Sequence, residues 1–194
     1  MFFDRDGVIT PDIGYPHRIE HAVLFPDVIP ALQRIQAAGY LVLIVTNQSG
    51  VGRGIYPLSA VTRFNEKLRQ QINVAGINMS KDDVYVCPHA PEEHCVCRKP
   101  KPGLLTRAAI EHDIDLTESF LVGDNESDVI AGRRAGVSTI LLRRVPQTAR
   151  SSRSKSDFFA SDLGAAAGII LGHKGLRRST QSIRAPLSAS ITEG

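Results

Sequence analysis

The stretch that decides the fold is Phe2-Phe3-Asp4-Arg5-Asp6-Gly7, at the start of a chain of 194 residues. Two apolar residues lead directly into two aspartates, and the two-residue period of a strand directs Asp4 and Asp6 to the same face. Gly7 then allows the chain to turn. The stretch predicts two neighbouring carboxylates at the carboxyl end of a short strand, where open α/β sheets bind their ligands. One carboxylate could act as a nucleophile and the other as a proton donor, although a strand that ends in an acidic turn has the same pattern.

Short apolar runs alternate with helical patterns along the rest of the chain. Apolar runs typical of strands buried on both faces of a parallel sheet occur at residues 41–45, 84–86, 120–122 and 139–142. Helical periodicity relates Val28, Leu32 and Ile35, relates Phe64, Leu68 and Ile72, and extends over residues 104–112 and 126–135. Asp27 is the predicted N-cap of the first helix. The succession predicts an α/β fold with a doubly wound, Rossmann-like parallel sheet.

The length suits one domain with a substantial core, or a domain followed by a tail. A last strand around Phe158-Phe159 and a short Ala-rich helix are expected to complete a domain over residues 1–171. Residues 172–194 are rich in Ser, Arg, Gly and Thr without periodicity, and they are predicted to form a disordered basic tail. Only three residues precede Asp4, so the first strand is expected to be short although it should lie centrally in the sheet.

The net charge is distributed unevenly. Residues 143–194 contain nine Lys or Arg and three Asp or Glu, a net charge of +6, so residues 1–142 carry −3 of the total of +3. A basic segment could contact nucleic acid or anionic lipid, but a solvated tail has the same composition, and no aromatic residue is interleaved with its cations for base stacking. No apolar run approaches the roughly 20 residues that span a bilayer. We therefore expect a cytoplasmic monomer without a nucleic-acid or membrane partner.

Residues 87–97 read Cys-Pro-His-Ala-Pro-Glu-Glu-His-Cys-Val-Cys and contain all three cysteines of the chain. Three thiolates and one imidazole make a complete tetrahedral zinc site, with Cys87, His89, Cys95 and Cys97 as the predicted ligands. Four protein ligands leave no open position, so the zinc is expected to be structural. His94 is an alternative to His89, and a chance cluster of cysteines in a Pro-rich loop is the alternative to a metal site.

Three more polar groups stand at predicted strand ends or directly after the cysteine loop. Arg98-Lys99 supplies two cations for an anionic substrate, although a solvated basic turn reads the same way. Thr46-Asn47-Gln48-Ser49 follows a buried strand, and a helix cap would also explain it. Asp124 after the strand at 120–122 could bind Mg2+, or cap the next helix. Together these groups supply what a phosphoryl-transfer site needs: a nucleophile, an acid, an oxygen clamp, a cation and a metal ligand.

This order of groups resembles the haloacid dehalogenase-like superfamily of phosphatases, whose four motifs match Asp4-x-Asp6-Gly7, Thr46, Lys99 and Gly123-Asp124. The resemblance covers roughly residues 1–170. The zinc loop, Asn47-Gln48-Ser49-Gly50 and Cys97-Arg98-Lys99-Pro100 resemble one branch of it. That branch contains the D-glycero-D-manno-heptose 1,7-bisphosphate 7-phosphatases and the histidinol-phosphatases, which are compact enzymes without a large cap.

Features of both enzyme types occur in the chain. Asp12-Ile13-Gly14-Tyr15, the glycine-rich stretch 49–54 and Lys101-Pro102-Gly103 resemble the heptose enzymes. The gap of five residues between His89 and Cys95 is closer to the histidinol-phosphate type. Loops that face the substrate should be more informative than the length of a structural loop, so the resemblance implies a small phosphorylated sugar, the heptose bisphosphate, as the substrate.

The resemblance also implies roles for individual residues. Asp4 would attack phosphorus, and Asp6 would protonate the leaving sugar oxygen and then accept a proton from water. Mg2+ would be bound by Asp4, the backbone carbonyl of Asp6, and Asp124, while Thr46 and Lys99 would hold the phosphoryl oxygens. The remainder of the substrate would be bound by Arg98, Asp12, Tyr15, Asn47, Gln48, Ser49, Arg53 and Asn125, the last standing where many heptose enzymes have a lysine.

Overall fold

A computed structural model describes residues 1–144 and 155–182, with side chains up to residue 173. Six parallel strands form one sheet in the order β3-β2-β1-β4-β5-β6. The strands are β1 (Phe2–Phe3), β2 (Leu43–Asn47), β3 (Val84–Cys87), β4 (Phe120–Gly123), β5 (Ser138–Leu142) and β6 (Phe158–Ala160). The helices are α1 (Val28–Ala37), α2 (Leu58–Val74), α3 (Gly103–Glu111), α4 (Glu126–Ala135) and α5 (Leu163–Ser182). This is the predicted doubly wound α/β fold, with the strand order of dinucleotide-binding sheets.

The first strand has only two residues, yet it lies in the middle of the sheet. It pairs with β2 on one side and with β4 on the other. Its two phenylalanines are fully buried on opposite faces, Phe3 among residues of α1, α2 and α5 and Phe2 among residues of α3 and α4. The sheet is therefore covered by helices on both sides, which explains why its strands read as continuous apolar runs.

Asp27 precedes α1 as predicted, but its side chain does not cap that helix. Both carboxylate oxygens accept hydrogen bonds from Nη1 of Arg144, at 2.9 Å each, and Oδ2 also accepts one from the backbone N–H of Leu163 at 2.6 Å. The Arg144 guanidinium in addition lies 3.8 Å from the centre of the Phe25 ring. A cation of the basic segment thus forms an ion pair inside the fold, and its partner Asp27 links the end of β5 to the start of α5.

In the structure, α5 continues from Leu163 to Ser182, past the boundary predicted at residue 171. Elongating an existing helix adds one hydrogen bond for each residue that is ordered, whereas starting a helix is costly, so a polar segment can extend a helix that an apolar segment has nucleated. Residues 172–182 lack helical periodicity, so their sequence pattern alone does not predict this extension. The rest of the predicted tail, residues 183–194, lies outside the described residues. Among the helices described, none has the length and apolar character needed to cross a membrane.

Candidate active site

The carboxyl ends of β1, β2 and β4 border a cavity of about 350 Å3. It opens where the strand order reverses, between β1 and β4, which is the usual position of ligand sites in sheets of this type. Its size falls within the range of small-molecule sites. The lining is mainly polar and consists of Asp4, Asp6, Asp12, Gly14, Tyr15, Pro16, Thr46, Asn47, Gln48, Ser49, Tyr56, Arg98, Lys99, Asp124, Asn125 and Ser127.

Lys99 connects the strand ends. Its Nζ lies 2.8 Å from Oδ1 of Asp4 and 2.6 Å from Oδ1 of Asp128, and it donates a hydrogen bond to the carbonyl of Val45 at 2.9 Å. Burial by itself disfavours the charged amine, but the carboxylates of Asp128 and Asp4 outweigh it and raise the pKa of Lys99. The side chain of Asn47 fixes the backbone of Lys99 through hydrogen bonds of 3.0 and 3.1 Å. The lysine is therefore a permanent, well-anchored cation.

Three carboxylates, those of Asp4, Asp124 and Asp128, place oxygen atoms within 4.8 Å of one another. Burial, followed by repulsion from Asp4 and Asp128, raises the pKa of Asp124 to about 7. Lys99 balances only one of the three negative charges. Clustered carboxylates with excess negative charge fit Mg2+, which prefers oxygen ligands. Asp124 and Asp4 are predicted ligands from the sequence, whereas Asp128 joins them only in the structure.

The backbone makes room for these acids at two glycines. Gly7 adopts a φ of +81°, and a side chain there would collide with the carboxylate of Asp124. A side chain at Gly123 would collide with Asp128, whose Oδ2 accepts a hydrogen bond from the backbone N–H of Asn125 at 3.1 Å. Asp128 thus also forms the N-terminal capping box of α4. Its position four residues after Asp124, in the first helical turn, is the sequence signal that points back to the site.

Asp6 is held by two neighbours. Nε and Nη2 of Arg5 donate to its two carboxylate oxygens at 2.8 and 2.9 Å, and Nε2 of Gln48 donates to Oδ2 at 2.8 Å. Burial raises the pKa of Asp6, while the charge of Arg5 acts in the opposite direction. A carboxyl whose environment favours the protonated form is suited to donate a proton. Asp4, by contrast, forms an ion pair with the Lys99 ammonium.

Gln48 also contacts the rest of the cavity wall. Its Nε2 lies 2.9 Å from Oγ1 of Thr46, and its Oε1 accepts a hydrogen bond from the hydroxyl of Tyr56 at 3.2 Å. The Tyr56 ring stacks on His17, with ring centres 4.4 Å apart, and meets Tyr15 edge-on. The predicted substrate contact Gln48 lines the cavity but is only 2% exposed. Tyr56 was missed, since it is eight residues from Gln48 and carries no motif.

All four predicted zinc ligands are brought together, and His94 is not among them. The Sγ atoms of Cys87 and Cys97 lie 3.6 and 3.3 Å from Nδ1 of His89, and 3.6 and 3.4 Å from Sγ of Cys95. A tetrahedron with metal–sulfur distances of about 2.3 Å has edges of about 3.8 Å, so the four atoms stand close to where tetrahedral ligands would be. The residues present fit a metal ion with four protein ligands.

Comparison with known proteins agrees with this geometry. A family model described as HAD-hydrolase-like matches residues 96–166. The chain is 42% identical, over 73% of its length and 81% of the relative, to a D-glycero-beta-D-manno-heptose-1,7-bisphosphate 7-phosphatase of Helicobacter pylori. It is 34% identical to the enzyme of that name from Pasteurella multocida, over 90% of this chain and 97% of the relative. The chain belongs to the haloacid dehalogenase-like family, as the motifs predicted.

A solved structure of the same family has a closely similar fold. The D,D-heptose 1,7-bisphosphate phosphatase from B. bronchiseptica, complexed with magnesium and phosphate, matches with a TM-score of 0.78 and 28% identity. The match covers 89% of this chain and 98% of that one. The haloacid dehalogenase-like fold therefore extends over most of the chain.

In this haloacid dehalogenase-like protein, Arg53 is the one predicted non-zinc site residue that does not line the cavity. It is exposed and lies 3.4 Å from Glu92 on the cysteine loop. The reason is local: the backbone N–H of Gly52 donates to the carbonyl of Pro88 at 2.8 Å, which fixes the turn against that loop. Arg98 does line the cavity, and its Nη1 donates to the carbonyl of His89 at 3.3 Å.

Proposed function

We propose that this protein is a Mg2+-dependent phosphatase that removes the 7-phosphate of D-glycero-D-manno-heptose 1,7-bisphosphate. The observation that carries the proposal is the grouping of Asp4, Lys99, Asp124 and Asp128 at the ends of the central strands. The substrate is supported by the names of relatives that are 34–42% identical and aligned over most of their lengths.

Hydrolysis proceeds in two displacements, each with its own bond changes. A carboxylate oxygen of Asp4 attacks phosphorus and the bond from phosphorus to the sugar oxygen breaks, giving an aspartyl-phosphate. Asp6 gives its proton to the departing oxygen. In the second displacement, Asp6 accepts a proton from water as the water oxygen attacks phosphorus, and Asp4 is released with inorganic phosphate.

The other residues bind and neutralise charge. Lys99 and the hydroxyl of Thr46 hold the phosphoryl oxygens. Mg2+ would be held by Asp4, Asp124 and the backbone carbonyl of Asp6, and we add Asp128 to this set as a direct or water-mediated ligand. The metal supplies positive charge that offsets the repulsion between a carboxylate and a phosphate dianion. The remainder of the sugar phosphate would contact Arg98, Asp12, Tyr15, Ser49 and Asn125.

The cysteine loop is proposed to bind a structural Zn2+. Cys87, His89, Cys95 and Cys97 fill a tetrahedral shell, so no position remains for substrate or water. The loop runs directly into Arg98-Lys99, and the ion would hold those two cations at the cavity. Because one chain supplies all the groups that the proposed mechanism uses, we propose that the protein acts as a monomer. We also propose that it acts in the cytoplasm.

The test is phosphate release with Mg2+, comparing D-glycero-D-manno-heptose 1,7-bisphosphate with histidinol phosphate on one preparation. We expect kcat/KM to be at least about tenfold higher for the heptose, which would place the protein in the synthesis of lipopolysaccharide or other surface-glycan precursors. The reverse preference would assign it to histidinol phosphate, and would make the five-residue gap between His89 and Cys95 the better guide. Weak turnover of both, with turnover of another sugar phosphate, would overturn the substrate but not the chemistry.

A further inference from the structure

Arg5 is the largest fully buried side chain of the part of the chain that the structure describes. In the sequence it stands between Asp4 and Asp6, and the proposed mechanism assigns it no role. A buried guanidinium is costly unless its charge and its N–H groups are satisfied. Its contacts therefore indicate what it is retained for.

Four hydrogen bonds and a ring fix the Arg5 guanidinium. Nε and Nη2 donate to Oδ1 and Oδ2 of Asp6 at 2.8 and 2.9 Å. Nη2 also donates to the carbonyl of Pro16 at 3.0 Å, and Nη1 donates to Oδ1 of Asn65 on α2 at 2.9 Å. The guanidinium carbon lies 4.3 Å from the centre of the Phe64 ring. The fork that contacts Asp6 is thus anchored from a helix and from the loop that lines the cavity.

The acceptor positions of Asp6 show what this anchoring does. An ionised carboxylate offers about four lone-pair positions, two on each oxygen. Arg5 uses one on each oxygen and Gln48 uses the second one on Oδ2. Within the described residues, the position left open is on Oδ1. Because the side chain of Asp6 is 17% exposed and lines the cavity, this position is the one available for exchanging a proton with substrate.

We propose that Arg5 is a positioning residue for the reaction: it holds the Asp6 carboxylate so that one lone pair, on Oδ1, is directed to the leaving oxygen. This inference rests on the proposed function, since it assumes that Asp6 moves the proton. In the first displacement the proton passes from Oδ1 to the sugar oxygen as that oxygen takes the electron pair of the breaking bond. In the second, Oδ1 takes a proton from the attacking water. A planar bidentate fork fixes carboxylate orientation in a way that the single ammonium of a lysine does not.

The test compares two leaving groups in Arg5→Lys and Arg5→Met. A sugar alcohol leaves only if it is protonated, whereas 4-nitrophenolate leaves without much help from an acid. General acid catalysis contributes about 100-fold or more, so we expect kcat/KM for the sugar phosphate, which reports the first displacement only, to fall by about 100-fold in Arg5→Met and less in Arg5→Lys. The loss of kcat/KM on 4-nitrophenyl phosphate should stay below about tenfold. Equal losses of kcat/KM on both substrates would mean that Arg5 has only a structural role, and would overturn the proposal.

If the Arg5 variants do not fold, a second pair of variants tests whether Arg5 positions Asp6. Asn65→Ala removes an anchor of Arg5 without touching Asp6, and it should lower the ratio of kcat/KM for the sugar phosphate to kcat/KM for 4-nitrophenyl phosphate about threefold or more. Asn73→Ala is the matched control, since it lies on the same helix and loses hydrogen bonds to Met79 only. An unchanged ratio in folded Asn65→Ala, or the same drop in Asn73→Ala, would overturn the proposal. If the wild type rejects the heptose, the proposed substrate fails, and the ratio is measured with whichever alkyl phosphate it hydrolyses.

Discussion

The carboxylate site takes its groups from the ends of the buried strands and the segments that follow them, whereas the cysteine site takes all four groups from one eleven-residue loop. Lys99 and Asp128 are ion-paired and buried before any metal is considered. The loop, in contrast, exposes residues 91–94 to solvent and has only its thiols and imidazole at the centre. The sheet therefore positions the first site by itself, while we expect the second site to depend on the proposed ion to position the loop. Losing Mg2+ should cost activity, and losing Zn2+ should cost structure.

The strongest test of the first half of this comparison is Asp4→Asn. The amide is too weak a nucleophile to form the phosphoryl-enzyme, so we expect kcat to fall at least about a thousandfold. The melting temperature should stay close to that of the wild type, because the change keeps the shape of the side chain. Phosphate release and thermal unfolding measure the two effects, and substantial remaining turnover would remove Asp4 from the role of nucleophile.

The expectation that losing Zn2+ costs structure is tested by Cys95→Ser. Serine is a poor ligand for Zn2+, so we expect zinc content to fall and the melting temperature to drop by roughly 5 °C or more. Turnover per folded molecule should change much less than stability. The matched control is Val96→Ser, which alters the 79%-exposed neighbour in the same loop and removes no ligand. A zinc ion that exchanges freely and is required in every turnover would contradict the structural role.

Stability in Mg2+ should depend on pH through Asp124, whose pKa is raised to about 7. Without metal, the folded state retains a proton that the unfolded state loses above its ordinary pKa of about 4, so the stability of the metal-free protein falls as pH rises through this window. Mg2+ replaces the proton as the positive partner of these carboxylates. We therefore expect the gain in melting temperature with Mg2+ to be larger at about pH 8 than at about pH 5.5.

Asp124→Asn is the control for this pH dependence. It removes the titrating carboxyl, and it should show a small Mg2+ effect of similar size at both pH values. Equal stabilisation of the wild type at the two pH values would mean that Asp124 does not sense the metal. Thermal unfolding with and without Mg2+, in the same buffers, gives the gain in melting temperature for the wild type and the variant at both pH values.

The smallest expected effect separates the two arginines next to these sites. Arg53 forms an exposed ion pair with Glu92, and such pairs contribute little, so Arg53→Ala should change kcat/KM by less than about twofold. Arg98→Ala, which alters the cavity wall, should raise KM for the sugar phosphate by about tenfold or more. Steady-state kinetics of the two variants side by side makes the comparison, and similar losses would return Arg53 to the substrate site.

The features that could be predicted from the sequence are those that local rules decide. Period-two placement put Asp4 and Asp6 at the end of a strand, and spacing within eleven residues was enough to assemble the cysteine loop. The sequence did not predict the direction in which a loop side chain points, or the pairing of side chains that lie far apart in the chain. Arg53 does not line the cavity, because a turn that contacts the Cys/His loop sets its direction. The side chain of Asp27 does not form the predicted helix cap, because it pairs with Arg144. That partner is 117 residues away in the chain, so no local pattern indicates it.

The sequence alone specifies the chemical nature of the groups and the strand ends that carry them. The tertiary structure alone decided which atoms meet. The strand order β3-β2-β1-β4-β5-β6 places β1 between β2 and β4, and so brings Asp4 and Asp128 to one ammonium of Lys99. It also buries Arg5 against α2, where its fork holds Asp6. Such contacts join segments far apart in the chain, and they arise only when the helices that cover the sheet fix the positions of the strands between them.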